Sequence, residues 1–162
     1  MARPSLRANA KMQLLIGALA AASLPPLSGR ILRYLAEGVI ESDGAVLLKA
    51  LSTGAAFDAL RHRDRTGYEC AINQLRFEAT PAGADRALAT ALTFAGQLIE
   101  MLERSGCAGP FRVIVSQDPR DCGCSVRFHR LRPHEASPAE DAKADSDEAI
   151  LVLDCDTPPA AG

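Results

Sequence analysis

The sequence predicts an α+β domain in which one β-sheet carries helices on one face. Three observations lead to this fold class. The chain has 162 residues, close to the size of a single domain. A long amphipathic segment spans residues 85–105, and short apolar segments typical of strands follow it. We therefore expect a small helical N-terminal layer, one strand, a long helix and an antiparallel meander of three strands, in that order.

Residues 1–30 form a basic, apolar N-terminal segment that has two interpretations. Its four basic residues are accompanied by no acid, and an apolar run from Leu14 to Leu24 follows Lys11. This is the outline of a secretory signal peptide, yet the same apolar residues recur at helical spacing and suit a peripheral helix. The run is too short to span a bilayer. A cytoplasmic chain is the favoured interpretation, and an exported chain with residues 1–22 cleaved as a signal peptide is the alternative.

The domain core, residues 31–132, opens with a layer of three short helices. Their expected ranges are 28–41, 46–51 and 57–60. Ser28 is a suitable N-cap for the first helix, and the turn residues Ser42-Asp43-Gly44 end it. The polar residues 61–67 that follow predict a solvated connection.

A strand and the long helix come next. The alternation of residues 75–78 predicts a half-buried strand at the end of segment 70–78. Between residues 85 and 105 apolar side chains recur every three or four positions, and Gly106 closes the helix. A helix of this length measures about 30 Å, which is enough to cross a whole sheet.

Three strands are predicted after the helix, at residues 111–116, 125–132 and 149–154. The first two are separated by a stretch dense in turn residues and should pair as a hairpin. Residues 133–148 are polar and acidic and are expected to form a mobile loop. Residues 155–162 are expected to be a disordered end.

Charge is unevenly distributed along the chain. The net charge is −2, but basic residues dominate before residue 31, and eight acids oppose the single Lys143 after residue 134. The body between them is nearly neutral and so lacks the basic face that a nucleic-acid partner requires. Aromatic residues make up only 4% of the chain, which disfavours stacking on bases. We interpret the acidic tail as a solvating segment, with autoinhibition or mimicry of a partner as the alternative.

Cys122 and Cys124 are the candidate redox residues. Two thiols on either side of a glycine, in a turn near Arg120 and Arg127, can have lowered pKa values. The alternative is that Cys124 is a small core residue and Cys122 a free thiol in a loop.

No metal or other cofactor is expected. His129 and His134 follow Cys124 closely in the sequence, and all three are residue types that bind zinc. Along a strand that rises about 3.3 Å per residue, however, the histidines would lie too far from the cysteine to share an ion.

The function predicted from the sequence is recognition of another protein by a non-enzymatic binding or regulatory module. The chain has no Gly-rich phosphate loop, no Gly-x-Ser-x-Gly elbow and no His-Glu-x-x-His motif, so no enzyme class is indicated. The expected contact residues are Ser125, Arg127 and His129, on the face of their strand opposite the core. An exposed edge at residues 150–154 could also accept a partner strand. The alternatives are a small enzyme with its site on the open sheet face and a thiol-redox protein that uses the two cysteines.

Overall fold

The computed structural model describes residues 3–19, 24–138 and 146–158. Its helices and strands are β1 (Ser5–Ala8), α1 (Ala10–Ala18), α2 (Gly29–Glu37), β2 (Val39–Ser42), β3 (Ala45–Leu48), α3 (Arg65–Ile72), β4 (Gln74–Phe77), α4 (Ala84–Arg104), β5 (Phe111–Gln117), β6 (Cys124–Arg130) and β7 (Ala149–Cys155). Two short 3₁₀ turns, Lys49–Leu51 and Pro81–Gly83, follow β3 and precede α4.

Five strands form one sheet in the order β1-β7-β5-β6-β4, and β2 and β3 pair as a separate hairpin. Each strand of the five-stranded sheet runs antiparallel to its neighbours. Helix α4 packs on β4, β5 and β6, and its buried residues join those of the strands in one core. The predicted α+β fold class is confirmed.

The core lies between α4 and one face of the sheet. Phe94 and Leu98 of α4 belong to the same buried cluster as Phe111 and Phe128 of the strands, and all four side chains are at most 1% exposed. Full burial of a side chain of this size contributes about 1.5–3 kcal/mol. Met12 of α1 is also completely buried in this core, and apolar residues of α2 pack at its margin.

Helix α4 matches the predicted helix to within one residue at each end. Its apolar positions follow the helical period, so that all of its buried residues fall within the core. Gly106 follows its last turn with φ +76°, a left-handed conformation that glycine adopts without steric cost.

The predicted hairpin of β5 and β6 is present, in register from Phe111↔Arg130 to Gln117↔Cys124. The third strand is placed differently from a simple meander, because β7 pairs with β5 rather than with β6. Strands β6 and β7 therefore run parallel, with β5 between them. β1 lies on the far side of β7, so the predicted exposed edge at residues 150–154 is wrong.

Strand β3 lies where a second helix was predicted, and β2 takes the end of the predicted first helix, so the second helix and the last residues of the first were wrong. Asp43 and Gly44 both have positive φ, as a two-residue type I′ turn requires. All four residues of β3 are apolar and buried. A short apolar run of this kind fits a buried helix face as well as a buried strand.

Helix α3 begins where a solvated connection was predicted. Asp64 caps it by accepting a hydrogen bond from the amide of Gly67, and four of its eight residues are buried. It takes the first part of segment 70–78, so that only Gln74–Phe77 form the strand. No helix is present at residues 57–60. Phe57 instead packs edge-on against Tyr68 of α3.

The N-terminal segment is part of the fold. β1 pairs with β7 over four residues, and the side chain of Asn9 accepts hydrogen bonds from the amides of Met12 and Ile150. The interpretation of this segment as a helix laid on the core agrees with α1, whose Met12 is buried in the core, whereas β1 was not predicted. The compartment remains a prediction. Among the described helices, none is long and apolar enough to cross a bilayer.

The acidic connection between β6 and β7 is described at both ends. Glu135 accepts two hydrogen bonds from Thr66, and Ser137 is buried, so the first part of this segment is held against the body of the domain. Residues 139–145, where much of the mobile loop was predicted, lie outside the described residues. Residues 155–162 were predicted to be disordered, but Cys155 is the last residue of β7 and Thr157 is buried. Residues 159–162 lie outside the described part.

Candidate functional site

The sheet face opposite α4, called the polar face below, carries the three residues that the sequence singled out for partner binding. Alternation along the strands places Ser125, Arg127 and His129 there, beside Arg112, Ser116 and Asp154 of the neighbouring strands. The prediction that these three residues lie opposite the core is consistent with this register. The polar face is therefore the first candidate site.

The polar face is covered rather than open. Ser125 is 8% exposed and His129 only 1%. Ser137, in the crossover connection from β6 to the parallel β7, lies on His129, and α3 packs on β6 with Glu69 bonded to the amide of Arg130. Of the three predicted contact residues only Arg127 is partly accessible, so Ser125 and His129 are not presented to a partner as expected.

His129 and Ser137 form a hydrogen-bonded pair. Nδ1 of His129 donates to the carbonyl of Arg130 at 2.9 Å, so that Nε2, 2.9 Å from the hydroxyl of Ser137, is free to accept its proton. Burial lowers the pKa of His129 below its ordinary value of 6.5. The Ser137 hydroxyl, the His129 ring and the Arg130 carbonyl are thus linked as a nucleophile, a base and an orienting group. The side chains of Ser137 and His129 are, however, only 1% exposed.

Asp154 holds two arginines of the polar face. It receives two hydrogen bonds from Arg112, at 2.7 and 2.8 Å, and one from Arg7 at 3.3 Å. Burial on its own would raise the pKa of Asp154, but the hydrogen bonds and charge of Arg112 outweigh it and hold that pKa below its ordinary range. This cluster ties β1, β5 and β7 together and favours the ionised form of Asp154.

The two candidate redox cysteines lie in different environments. Burial raises the pKa of Cys124 to about 11, and its thiol sits in the core beside Gln117. Cys122 is half-buried in the turn before β6, with φ +60°. A thiolate is disfavoured at Cys124, so the geometry gives the redox hypothesis no support.

Close packing explains why a glycine lies between the two cysteines. A Cβ atom at Gly123 would lie 2.6 Å from Nη2 of Arg76, whose guanidinium reaches past the glycine to Asp121. The Cys-Gly-Cys spacing therefore reflects close approach of an arginine from β4. In the part of the chain that the structure describes, no group of three metal-binding side chains is close enough to hold an ion.

A second candidate site, the β4 cleft, follows the outer edge of β4. It consists of two adjoining cavities of about 470 and 440 Å³ that share Phe77 and Glu78. Helix α2 and the 3₁₀ turn after β3 line the first cavity, and the start of α4 lines the second. The side chains that line the cleft include Arg30, Ile31, Tyr34, Leu51, Phe77 and Arg86.

The β4 cleft joins apolar and basic groups. Helix α2 is amphipathic but has no fully buried residue, so Ile31 and Tyr34 remain partly exposed beside the strand. Glu78 pairs with Arg76 at 2.9 Å. Arg30 and Arg86 form no ion pair with any described residue, which leaves the cleft with a net positive charge.

Residues 7–159 match the model of the Uncharacterized protein PM0498 family. The chain belongs to this family. No curated protein and no solved structure gives a significant match. The PM0498 family match begins within β1 and ends after β7, so it includes both the polar face and the β4 cleft.

Sequence reasoning missed the main buried ion pair of this member of the PM0498 family. Glu69 of α3 is fully buried, binds both terminal nitrogens of Arg132 at 2.8 and 2.9 Å, and also accepts the amides of Val46 and Arg130. Asn73, one turn later, bonds to the amide of Leu48. The sequence signal for this cluster was the i, i+4 spacing of Glu69 and Asn73, but it lies on helix α3, which was not predicted.

Proposed function

We propose that this domain binds another protein by taking up an extended segment of it along the β4 cleft. The observation that carries the proposal is the position of β4. One side of β4 pairs with β6, and no described strand pairs with its other side, which opens into the cleft. Unpaired amide and carbonyl groups along a strand edge are a template for a further strand.

The side chains around this edge suit an extended peptide. Leu75 and Phe77 project toward the helices, and Ile31 and Tyr34 face them across the first cavity. Alternate side chains of an added strand would enter this apolar part, while its backbone pairs with β4. Each cavity is within the usual size range of a ligand pocket, and the two together follow the strand.

The charge of the β4 cleft supports an acidic partner segment. Arg30 and Arg86 lie at the two cavities and have no carboxylate partner among the described residues. Charge complementarity mainly sets specificity and the rate of association. The expected partner segment therefore combines apolar residues with acids.

Selection from a random peptide library displayed on phage tests this function. Wild type is expected to enrich acidic and apolar peptides, and the enriched peptides should shift the amide NMR signals of Gln74 to Glu78. Arg30→Glu combined with Arg86→Glu should weaken binding at least about tenfold, or about 1.4 kcal/mol. Arg63→Glu, at an exposed arginine outside the cleft, is the matched control. Enriched peptides that leave the β4 amides unshifted, or no enrichment at all, would contradict the proposal.

A small enzyme is the second candidate function, because His129 and Ser137 form a base and nucleophile pair. A fluorophosphonate probe that reacts with activated serines decides between the two roles. Labelling of wild type that disappears in Ser137→Ala supports an enzyme. Unlabelled wild type, with a lowered free energy of unfolding in Ser137→Ala, assigns the pair to anchoring the crossover.

A further inference from the structure

Arg127 lies in the middle of β6 on the polar face, between Gln74 of β4 and Ile114 of β5. Its Nε atom is buried and has no hydrogen-bond partner among the described residues. The side chain forms no ion pair or side-chain hydrogen bond with any described residue. Arg127 as a whole residue is only partly exposed to solvent.

The other arginines of the polar face have carboxylate partners. These paired residues are Arg7, Arg76 and Arg112. Arg127 thus departs from a pattern that the rest of the face obeys. Departures of this kind, which cost stability without a visible local gain, are expected at functional sites.

The surroundings of Arg127 are poorly hydrated. Ile114 and His129 are each 1% exposed, and Ser125 is 8% exposed. The hydroxyl of Ser125 lies 2.9 Å from that of Ser116, and each hydroxyl can take part in a further hydrogen bond. A positive charge in such a place is stabilised when an anion pairs with it and accepts its hydrogen bonds.

We infer that Arg127 anchors a binding site for a small oxyanion, a carboxylate or a phosphate. The Nε and Nη groups of Arg127 donate to two oxygens of the anion in a forked arrangement. The hydroxyl of Ser125, two residues away on the same face, supplies a further donor. The ligand is small, because Ile114, Ser125 and His129 around Arg127 are buried and Arg127 itself is only partly exposed. This inference rests on a different observation from that of the β4 cleft and stands without it.

Thermal unfolding with added anions tests the site. Inorganic phosphate and acetate are titrated separately against chloride at constant ionic strength, so that the two arms distinguish a phosphate from a carboxylate ligand. Wild type should show a saturable rise of a few degrees in Tm with at least one of them. Arg127→Met should show none, and Arg127→Lys, which keeps the charge but loses the fork, should need a higher concentration.

The side-chain NMR signal of the Arg127 Nε–H group gives a second readout that does not depend on a variant that folds. It should shift with the same midpoint as the rise in Tm. Arg63→Met, at an exposed arginine that pairs with no described residue, is the control and should respond like wild type. An unchanged Nε–H signal overturns the inference, and so does an equal rise in Tm for wild type and Arg127→Met.

Discussion

Both ring nitrogens of His129 are hydrogen-bonded, one within its own strand and one to the crossover. Nδ1 donates to the backbone of its own strand, and Nε2 meets Ser137 in the segment that passes over the polar face. Burial is the largest influence on its pKa and lowers it, although Glu69 nearby acts in the opposite direction, and Arg112 and Arg132 lower it further. The neutral ring is therefore the form that the fold requires.

Acidification should reduce stability through this histidine. In the unfolded chain His129 titrates near 6.5, and in the folded protein its pKa is lower, so the unfolded state takes up a proton first. The stabilisation is fully present above about pH 6.5 and is lost as the pH falls toward the folded pKa. His129→Gln should flatten the pH dependence of the free energy of unfolding, measured in urea between about pH 8 and pH 5. His134→Gln, at an exposed histidine, is the control and should keep the slope of wild type. An equal slope in His129→Gln would refute this assignment.

At the scale of elements, α3 joins the β2–β3 hairpin to the main sheet through side chains instead of a strand ladder. Glu69 accepts the amide of Val46 on β3 and the amide of Arg130 on β6. Asn73 donates to the carbonyls of Val46 and Phe128. Two helix side chains thus satisfy backbone groups of two strands that do not pair with each other.

Removing the charge of Glu69 should loosen this junction. Glu69→Gln leaves Arg132, whose side chain is 15% exposed, without its main counter-ion, and the cost expected for breaking such a buried pair is about 3–5 kcal/mol. Glu41→Gln removes a more exposed partner of Arg130 and should cost about 0–1 kcal/mol. Urea unfolding measures both, and hydrogen exchange of the Val46 amide reports the junction directly. A loss below about 1 kcal/mol for Glu69→Gln would show that the pair is not important for stability.

The sequence predicted the elements with long or clear periodicity. Helix α4 has six turns of regular apolar spacing, and β5 and β6 alternate over seven residues each. The β2–β3 hairpin was missed because a short apolar run fits a helix face and a buried strand equally well. Its decisive signal was Asp43-Gly44, which favours a two-residue hairpin turn.

The candidate sites were less predictable than the elements. Strand alternation placed Ser125, Arg127 and His129 on one face correctly, but burial by the crossover and α3 depends on the strand order and the helix packing, which local patterns do not determine. The β4 cleft is built from residues 28–34, Leu51 and residues 74–90, which only the tertiary fold brings together.

For the molecule as a whole, the uneven charge of the sequence has an internal explanation. Pairing of β1 with β7 brings the basic start of the chain onto its acidic end. Arg7 binds Asp154, and Lys11 lies 3.6 Å from Asp147. Part of the acidic tail is thus matched by the protein's own N-terminal residues.

Substitutions in α1 test whether packing of the N-terminal segment on the domain matters for stability. Met12 is fully buried, and Met12→Ala should cost about 2–5 kcal/mol in the free energy of unfolding. Leu14, two residues away, is 77% exposed, and Leu14→Ala should change stability by less than about 0.5 kcal/mol. Guanidinium unfolding of the two variants gives the comparison. Equal and small losses would mean that the N-terminal segment is dispensable.

Strands β1 and β4 form opposite margins of the sheet, with three strands between them. Ser5 is paired with Asp154, so the start of β1 and the end of β7 lie side by side near the β1 margin. Four strand spacings, about 19 Å, separate that margin from β4. A fluorophore attached at Ser5 would consequently lie across the sheet from the edge that is proposed to accept a peptide.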